Sequence, residues 1–329
     1  MRNMAKPKLS DVAKRAGVSA TTVSRVLNNR GYLSAATKQA VHQAIDELGY
    51  RPNEIARSLL GQRTYLIGLI VPTVANPFFG ELAAAIEGAL ATSGYKMLLC
   101  NSQGQAEQER AYLDLLQANQ VDGIITSAHN DLIDGYAHAT LPIVAVDRQM
   151  GAHIPNVRSD NAMGGRIATE LLINQGCRSI VLVTATDSPQ NARAGAYRTA
   201  LKAAGIASNV FEYGFDTPRQ ARQARLFDWL DCQSELDGLF ATDDLTALLA
   251  LEWAKRRSIE VPDALKIVGY DGTPMVTQSV PGLTTVVQPI DRIAERAVSV
   301  LLARIGATAS VRPPDEIVLP VDMHRGWTA

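Results

Sequence analysis

Residues 9–29 carry polar side chains at a spacing that suits DNA binding. Two short amphipathic segments are joined by Gly17-Val18-Ser19, and the second segment begins with small hydroxyl residues and has Arg25 on its outer face. Small side chains let the start of a helix approach base edges, and an arginine can donate two hydrogen bonds to one guanine. This pattern predicts a helix-turn-helix with its second helix in the major groove. The alternative is a plain helical hairpin with a solvated polar face.

A second group of side chains follows the apolar runs of the remaining chain, where the strands of a parallel sheet would end. The group combines carboxylates, guanidinium groups and amides with two aromatic rings: Asn76, Phe78, Phe79, Ser127, Asp147, Arg148, Arg193, Thr242, Asp243, Asp244, Asp271 and Gln288. Sugar hydroxyls need paired donors and acceptors, and an aromatic ring packs against the C–H groups of a sugar. We therefore expect a sugar site at these strand ends. Each residue alone could equally be a helix cap or a solvated loop residue, the interpretation we favour for Asp243 or Asp244.

The motifs of common enzyme classes are absent from the sequence. It contains no GxGxxG, GxxxxGK[ST] or GxSxG, and the glycine-rich run GALATSGYK has the wrong spacing for a phosphate loop. His129 and His138 lie in polar surroundings with no nucleophile beside them. Cys100, Cys177 and Cys232 are odd in number and widely spaced, which indicates buried reduced thiols rather than disulfides or a zinc site. We expect neither an enzyme nor a bound cofactor or metal.

Short helices must position the DNA-binding residues. Ser10 is a candidate N-cap for a helix over residues 11–16, and Gly17 suits the position after its end. Ser19 would cap the second helix. Its inward residues are Val23, Val26 and Leu27, which leaves Ala20, Thr21, Thr22, Ser24 and Arg25 for the outer face or its rim.

A third and a fourth helix follow. The third runs from residue 34 or 35 to 48 and closes a small core with Val41, Ile45 and Leu48. Asn53 can cap a short fourth helix over residues 54–60. A helix of two turns is marginal in water by itself. We therefore expect it to fold only with a partner, either DNA or a second copy of itself.

From residue 64 onward, short apolar runs alternate with longer amphipathic segments. YLIGLIVP, KMLLCN, VDGIITS and PIVAVD predict buried parallel strands, and SIVLVTA, DGLFATD, LKIVGYD, LTTVVQP and EIVLPVDM form a second series. Two such series predict an α/β fold of two doubly wound parallel sheets with a cleft between them. Ligands of such sheets bind at the carboxyl ends of the strands.

The charge is distributed unevenly along the chain. Residues 1–63 hold 11 Lys and Arg against 4 Asp and Glu, whereas the remainder holds 21 against 29. A basic segment of this kind suits phosphate binding. We predict a DNA-binding domain over 1–51, a hinge helix and linker over 52–63, and a two-lobe sugar-binding and dimerisation core over 64–329. The chain has neither a bilayer-length apolar run nor a signal-peptide pattern at its start, so we expect a cytoplasmic protein without a membrane partner.

The run DVAKRAGVSATTVSRVLN, followed by GYRPNEIARSL, resembles the N-terminal module of the lactose-repressor/galactose-repressor family of bacterial transcription factors. The resemblance implies base contacts by Ala20, Thr21 and Arg25, and backbone contacts by Ser19, Thr22 and Asn28. It also implies that the helix capped by Asn53 pairs with its twin in a homodimer through Ile55 and Ala56. Leu59 would then enter the minor groove of operator DNA and kink it.

The chain from residue 64 resembles the periplasmic sugar-binding-protein core of the same regulators, through NPFF, VDR, SDNAMGG, R-x-x-A-Y and VGYDG. The resemblance implies that Phe78 and Phe79 flank a sugar ring. It places Asp147, Arg148, Arg193, Asp271 and Gln288 on the sugar hydroxyls. Two positions depart from the pattern: Thr242 stands where Asn is frequent, and Ala196 where Gly is usual.

Within the family, the runs NPFFGEL, NQVDGIITSAHN and FATDDLTA are most similar to the subgroup of sucrose operon repressors. This implies a repressor of a sucrose-utilisation operon whose effector is sucrose, a phosphorylated sucrose or a fructose derivative. Ribose or another sugar or sugar phosphate is the alternative, and a sugar receptor without DNA function is a remote one. Arg148, Arg158 and Arg193 could hold a phosphate or bond a neutral sugar. The effector could release the operator or act as a corepressor. The absence of a leucine heptad beyond the core favours a dimer over a tetramer.

Overall fold

The computed structural model describes residues 7–27, 31–50, 63–127, 130, 133, 135–151, 153–215, 217–306 and 314–329. The chain divides into two compact units, Met1–Thr64 and Tyr65–Ala329. We describe each unit by itself. Among the described residues, none of the helices has the length and apolar character needed to cross a membrane.

The N-terminal unit is built on three helices, α1 (Leu9–Ala16), α2 (Ala20–Leu27) and α3 (Ala35–Leu48). Small apolar side chains from all three helices form its core: Val12, Ala13, Val23, Val26, Val41 and Ala44. Gly17 ends α1 at φ 66°, a conformation that glycine adopts without strain. Ser34 caps α3 by accepting a hydrogen bond from the Thr37 N–H at 3.2 Å. The predicted helix-turn-helix core is confirmed.

The predicted start of α1 was wrong by two residues. The helix begins at Leu9, so Ser10 lies inside the first turn and Lys8 is the N-cap residue. The Asp11 carboxylate accepts a hydrogen bond from the Lys8 N–H at 2.8 Å. A carboxylate in the first turn stabilises the N-terminus through the helix dipole, and this interaction outweighs the capping preference of Ser10.

The larger unit contains two six-stranded sheets. The strands of lobe 1 are β1 (Leu66–Val71), β2 (Lys96–Asn101), β3 (Gly123–Thr126), β4 (Ile143–Val146), β5 (Asn156–Ser159) and β11 (Glu316–Leu319). Those of lobe 2 are β6 (Ile180–Thr184), β7 (Asn209–Glu212), β8 (Gly238–Ala241), β9 (Lys266–Asp271), β10 (Thr284–Val287) and β12 (Asp322–His324). Lobe 1 has the strand order β11-β5-β4-β3-β1-β2, and lobe 2 has the order β12-β10-β9-β8-β6-β7. The strands pair in parallel except β10 and β12, which are antiparallel.

Helices cover both faces of each sheet. Lobe 1 carries α4 (Pro77–Thr92), α5 (Ala106–Ala118), α6 (Gly135–His138) and α12 (Ile290–Gly306). Lobe 2 carries α7 (Asn161–Asn174), α8 (Ala192–Ala204), α9 (Arg219–Asp231), α10 (Asp244–Arg256) and α11 (Pro274–Ser279). Leu69 of β1 packs into the core that contains α4 and α12, while Ile70 packs into the core on the opposite face. The predicted pair of doubly wound lobes is therefore present.

The prediction of the last strand was wrong. EIVLPVDM was predicted as one strand of the second series, but it is divided at Pro320 between β11 in lobe 1 and β12 in lobe 2. Proline has no N–H for a sheet ladder, so the chain leaves one sheet there and enters the other. Within the described residues, the chain also passes between the lobes after Ser159 and after Val287.

Two of the three cysteines match the prediction of buried thiols. Cys100 and Cys177 are buried, whereas Cys232 is exposed at the end of α9, so the prediction was wrong for that residue. Burial raises the pKa of the Cys177 thiol to about 11, which keeps it protonated and unreactive.

Several predicted residues lie outside the described residues. They are Asn28, Asn53, Ile55, Ala56 and Leu59, together with the short helix predicted over 54–60. The domain boundaries at 51 and 63 stay predictions.

Candidate functional site

The outer face of α2 presents the residues predicted to contact bases. Val23 and Val26 are buried in the core, so the opposite side of the helix faces solvent. Ala20, Thr21 and Arg25 are exposed on that side. The three side chains therefore share the surface that a DNA major groove would meet.

Ser19 and Thr22 are tied to each other at the start of α2. The Ser19 Oγ accepts a hydrogen bond from the Thr22 N–H at 3.1 Å and lies 2.9 Å from the Thr22 Oγ1. Ser19 is thus the N-cap, as predicted, and it satisfies one of the free N–H groups of the helix end. The predicted contact of both residues with the DNA backbone stays a prediction.

Arg193, at the start of α8, lies at the centre of the candidate effector site. Its Nε donates a hydrogen bond to Asn161 Oδ1 at 2.9 Å, and its Nη1 donates to the Thr242 backbone oxygen at 2.7 Å. Its Nη2 lies 3.9 Å from Asp147 Oδ1, which belongs to lobe 1. The guanidinium also lies over the Tyr270 ring, 3.7 Å from the centroid. Arg193 therefore joins the strand ends of both lobes.

Asn161 and Tyr270 belong to this network but were not among the predicted site residues. Asn161 Oδ1 accepts hydrogen bonds from Arg193 and from the Tyr270 hydroxyl at 2.9 Å, while its Nδ2 donates to Asp147 Oδ1 at 3.3 Å. Asn161 stands in the SDNAMGG run, directly after the chain passes from lobe 1 to lobe 2. Burial alone would lower the pKa of Arg193, but the neighbouring Tyr270 and Asp147 outweigh it and raise that pKa. The arginine stays charged in a buried setting.

Asp271 and Gln288 form a second chain of hydrogen bonds across the lobes. The Gln288 Nε2 donates to Asp271 Oδ1 at 2.8 Å, and the Gln288 Oε1 accepts from the Ser159 hydroxyl at 2.7 Å. Asp271 has a φ of 115°, an unusual value for a residue other than glycine that functional sites tend to retain. Burial raises the pKa of Asp271 well above its ordinary value, although Arg193 opposes the shift.

Asp243 and Asp244, which follow β8, differ in their hydrogen-bond partners. Asp243 caps α10 by accepting hydrogen bonds from the Thr246 N–H at 2.9 Å and from the Tyr213 hydroxyl at 2.7 Å, so the expected helix cap is confirmed for this residue. Asp244 is instead 2% exposed and accepts from the Thr285 hydroxyl at 2.5 Å and the Gly272 N–H at 2.8 Å. Burial raises its pKa to about 7.

The rings of Phe78 and Phe79 are buried more deeply than the predicted contact with a sugar ring implies. Phe78 and Phe79 are 4% and 5% exposed and belong to the core of lobe 1, where their rings meet edge to face with centroids 5.1 Å apart. Asn76 caps α4 by accepting from the Phe78 N–H at 2.9 Å. The role of these residues in flanking a sugar stays a prediction.

The remaining predicted residues lie at the ends of lobe 1 strands. Ser127 is buried after β3, and Arg148 is half-buried after β4. Arg158 pairs with Glu316 of β11, with its Nε 2.6 Å from the Glu316 Oε1. Its charge is therefore balanced at the outer strands of the sheet.

Residues of both lobes line a small recess. It is lined by Asn76, Pro77, Asp244, Leu245, Asp271, Thr273 and Val276, and its cavity volume is about 0 Å³, so it has no room for a ligand. Ligand pockets usually measure ~300–1,000 Å³. The Met275 N–H of lobe 2 also donates to Glu81 Oε1 of lobe 1 at 3.1 Å. The lobes are thus close together, and a sugar of ordinary size requires them to separate or their side chains to move.

Two glycines at the start of α7 make room for this network. A Cβ on Gly164 would lie 2.3 Å from the Tyr270 hydroxyl oxygen, and a Cβ on Gly165 would lie 2.5 Å from the Arg193 backbone oxygen. Real Cβ atoms do not approach so closely, so a substitution must displace its neighbour. The glycines therefore help to hold Tyr270 and Arg193 where they are.

We expect Gly165→Ala to weaken sugar binding about tenfold or more, because a displaced Arg193 loses aligned hydrogen bonds worth roughly 1.5–3 kcal/mol each. Titration calorimetry measures the effect. Gly195→Ala, on the same helix as Arg193, is the matched control, since nothing lies within 4 Å of a Cβ there. Equal sugar affinity in the two variants would contradict this role.

Comparison with known proteins agrees with both units. Residues 8–53 match the model of bacterial regulatory proteins, lacI family, and residues 169–326 match a periplasmic binding protein-like domain. The chain is 45% identical to the sucrose operon repressor of Pediococcus pentosaceus over 98% of this chain and 100% of that protein. It is 38% identical to the ribose operon repressor of Halalkalibacterium halodurans over 90% of each chain.

A solved structure shares the fold. It is the lac repressor dimer bound to operator and the anti-inducer ONPF, which matches with a TM-score of 0.84 and 24% identity, covering 98% of this chain and 99% of that one. Identity at that level supports the fold alone. The relatives and the family model extend the agreement to sequence, and the chain belongs to the lacI family of bacterial regulatory proteins.

Proposed function

We propose that this protein is a transcriptional repressor of a sucrose-utilisation operon, controlled by a sugar that binds between the two lobes. The observation that carries the proposal is the 45% identity, over nearly the whole chain, with a sucrose operon repressor. The exposed Ala20, Thr21 and Arg25 face supports the DNA-binding part. The Arg193 network supports the sugar-binding part, because guanidinium and carboxylate groups bond hydroxyls from both sides.

The repressor acts as a homodimer in the cytoplasm on a nearly palindromic operator. A dimer presents two copies of α2 at the spacing of two operator half-sites, which is how helix-turn-helix proteins gain specificity.

The sugar acts on DNA binding through the lobes. It contacts Arg193 and Asp271 in lobe 2 and Asp147 in lobe 1, so it binds one relative position of the lobes better than another. The lobe movement separates the two linkers of the dimer, and the short helix predicted over residues 54–60 loses the partner that it needs to fold. Operator affinity then falls.

A ribose-responsive repressor is the second candidate, because the chain is also 38% identical to a ribose operon repressor. Titration of the operator complex with sucrose, fructose and ribose distinguishes the two. Release by sucrose or fructose supports the first proposal, and release by ribose alone supports the second.

We expect Leu59→Ala to weaken operator binding on the order of tenfold to a hundredfold, because a wedge in the minor groove stabilises the bent DNA that gives the larger contact. Sugar binding, measured by calorimetry, should be unchanged. The adjacent Leu60→Ala variant is the control, since neighbouring residues of the predicted helix would face different directions. Normal operator affinity in Leu59→Ala would remove the wedge from the mechanism.

A further inference from the structure

Asp244 carries a buried carboxylate that joins three segments of lobe 2. It is the first residue of α10 and is 2% exposed. Its Oδ2 accepts a hydrogen bond from the Gly272 N–H at 2.8 Å, and its Oδ1 accepts one from the Thr285 hydroxyl at 2.5 Å. The carboxylate therefore ties α10 to the residue that follows β9 and to β10.

The neighbouring strand leaves space for this carboxylate. Gly269 lies within β9, and a Cβ at that position would collide with the Asp244 Oδ1. Burial of the carboxyl group costs free energy, which is why the pKa of Asp244 is raised to about 7. A carboxyl group keeps an acceptor oxygen in either protonation state, so the hydrogen bond from the Gly272 N–H does not depend on ionisation.

The peptide held by Asp244 directly follows a strained residue of the candidate effector site. Asp271 has a φ of 115°, a region that residues other than glycine rarely adopt. Such conformations persist only where the surrounding structure holds them. The N–H of the next residue, Gly272, donates to the Asp244 carboxylate. Asp244 therefore fixes the peptide between Asp271 and Gly272.

The conformation of Asp271 determines where its carboxylate lies. The Asp271 Oδ1 accepts a hydrogen bond from the Gln288 Nε2 at 2.8 Å, and the Asp271 backbone oxygen accepts one from the Gln288 N–H at 3.0 Å. Gln288 in turn accepts a hydrogen bond from the Ser159 hydroxyl of lobe 1. A change of φ at Asp271 would rotate its side chain away from Gln288 and break this connection between the lobes.

From these contacts we propose that Asp244 is a positioning residue of the effector site, which holds the peptide between Asp271 and Gly272 so that Asp271 presents its carboxylate to the sugar. Asp244 does not contact the sugar itself, because it is buried and its oxygens bond Gly272 and Thr285. The inference rests on the proposed function, in which Asp271 bonds the sugar. Without Asp244 the turn relaxes, and the sugar must supply the free energy that restores the strained conformation.

Asp244→Ala removes both acceptor oxygens and should lower sugar affinity about tenfold to a hundredfold, the ratio that corresponds to the strain of one such residue. Asp244→Asn should recover most of this loss, because its amide oxygen accepts from the Gly272 N–H and its amide N–H donates to the Thr285 hydroxyl. Titration calorimetry of the full-length protein with sucrose, fructose and ribose measures these affinities. Operator binding without sugar should persist in both variants.

Two further variants test whether Asp244 acts through Asp271. In an Asp271→Ala background, Asp244→Ala should cost no further sugar affinity, whereas a direct contact between Asp244 and the sugar would make the two losses add. Release of labelled operator at high sugar concentration extends this measurement to weak binding. Gly269→Ala displaces the Asp244 carboxylate without removing it, so it should lower sugar affinity even if Asp244→Ala does not fold.

Asp237→Ala is the matched control. The Asp237 carboxylate accepts hydrogen bonds from the Arg178 N–H at 2.7 Å and the Ser179 N–H at 2.8 Å, at the amino ends of β6 and β8 and therefore away from the cleft. Its loss removes a similar pair of bonds from the same lobe, and sugar affinity should stay at the wild-type value.

The outcomes separate the inference from the proposed function. Wild-type sugar affinity in Asp244→Ala and in Gly269→Ala, additive losses in the double variant, or an equal loss in Asp237→Ala each overturn the positioning role and leave a sugar-responsive repressor standing. Binding of none of the three sugars by the wild type overturns the sugar-effector part of the proposed function, and the inference with it.

Discussion

Arg193→Ala should abolish the response to sugar while operator binding persists. The substitution removes two hydrogen bonds within lobe 2 and the ion pair to Asp147 in lobe 1. In the proposed complex Arg193 donates hydrogen bonds to sugar hydroxyls, and each hydrogen bond from a charged donor contributes roughly 1.5–3 kcal/mol, so their loss should lower sugar affinity about 100-fold or more. The variant should therefore hold its operator at sugar concentrations that release the wild type. Calorimetry and operator titration measure the two effects separately.

Two further variants locate the cause. Arg193→Lys keeps the positive charge but cannot bond Asn161 and the Thr242 carbonyl together, so it should also respond poorly. Arg198→Ala removes an arginine from the same helix, where it forms a partly exposed pair with Asp187. Exposed pairs contribute little, so this control should respond normally. A normal sugar response in Arg193→Ala would place the effector site elsewhere.

Arg25→Ala should relax the base preference at one operator position. Arg25 is exposed on the same face as Ala20 and Thr21, and a bidentate contact with guanine discriminates by roughly 1–3 kcal/mol. Selection of bound sequences from random DNA should return a degenerate base at that position, and affinity for the wild-type operator should fall about tenfold to a hundredfold.

The matched control is Arg15→Ala in α1, which removes the same charge from the same unit. Arg15 is paired with Glu47 on the surface. Its loss should reduce affinity for all sequences by a similar, small factor without altering base preference. An unaltered preference in Arg25→Ala would move base recognition to another residue.

The DNA-binding face could be predicted because its causes are local. The helical spacing of Val23 and Val26 determines which side of α2 is buried, and therefore which side is exposed. The first residue of α1 was harder to predict, because Ser10 and Asp11 both favour positions at the start of a helix. The backbone geometry decides which of the two takes the capping role.

The cleft was predicted only in part. The rule that ligands bind at the carboxyl ends of strands led to Asp147, Arg193 and Asp271, and the structure brings these residues together. The same rule did not predict Tyr270, which lies within β9 and contacts the site through its hydroxyl group and the face of its ring. The sequence indicated only a helix cap or a solvated loop residue at Asp244, because the partners that bury this carboxylate come from segments distant in sequence.

Long-range pairing explains the remaining error in the fold. β5 is a short strand with polar residues, so no apolar run marked it, and β11 joins it from the far end of the chain. Residues 156–159 and 316–319 form one edge of the lobe 1 sheet although about half the chain separates them. Local periodicity in the sequence cannot predict such a pairing.

We propose that a sugar bound between the two lobes releases the repressor from its operator. Fluorescence anisotropy of the full-length protein on an operator selected from random DNA tests it directly, with sucrose, fructose or ribose titrated into wild type and Arg193→Ala. We expect one of these sugars to lower the operator affinity of the wild type and to leave that of Arg193→Ala unchanged. Operator affinity of the wild type that stays the same or rises with every saturating sugar would contradict it.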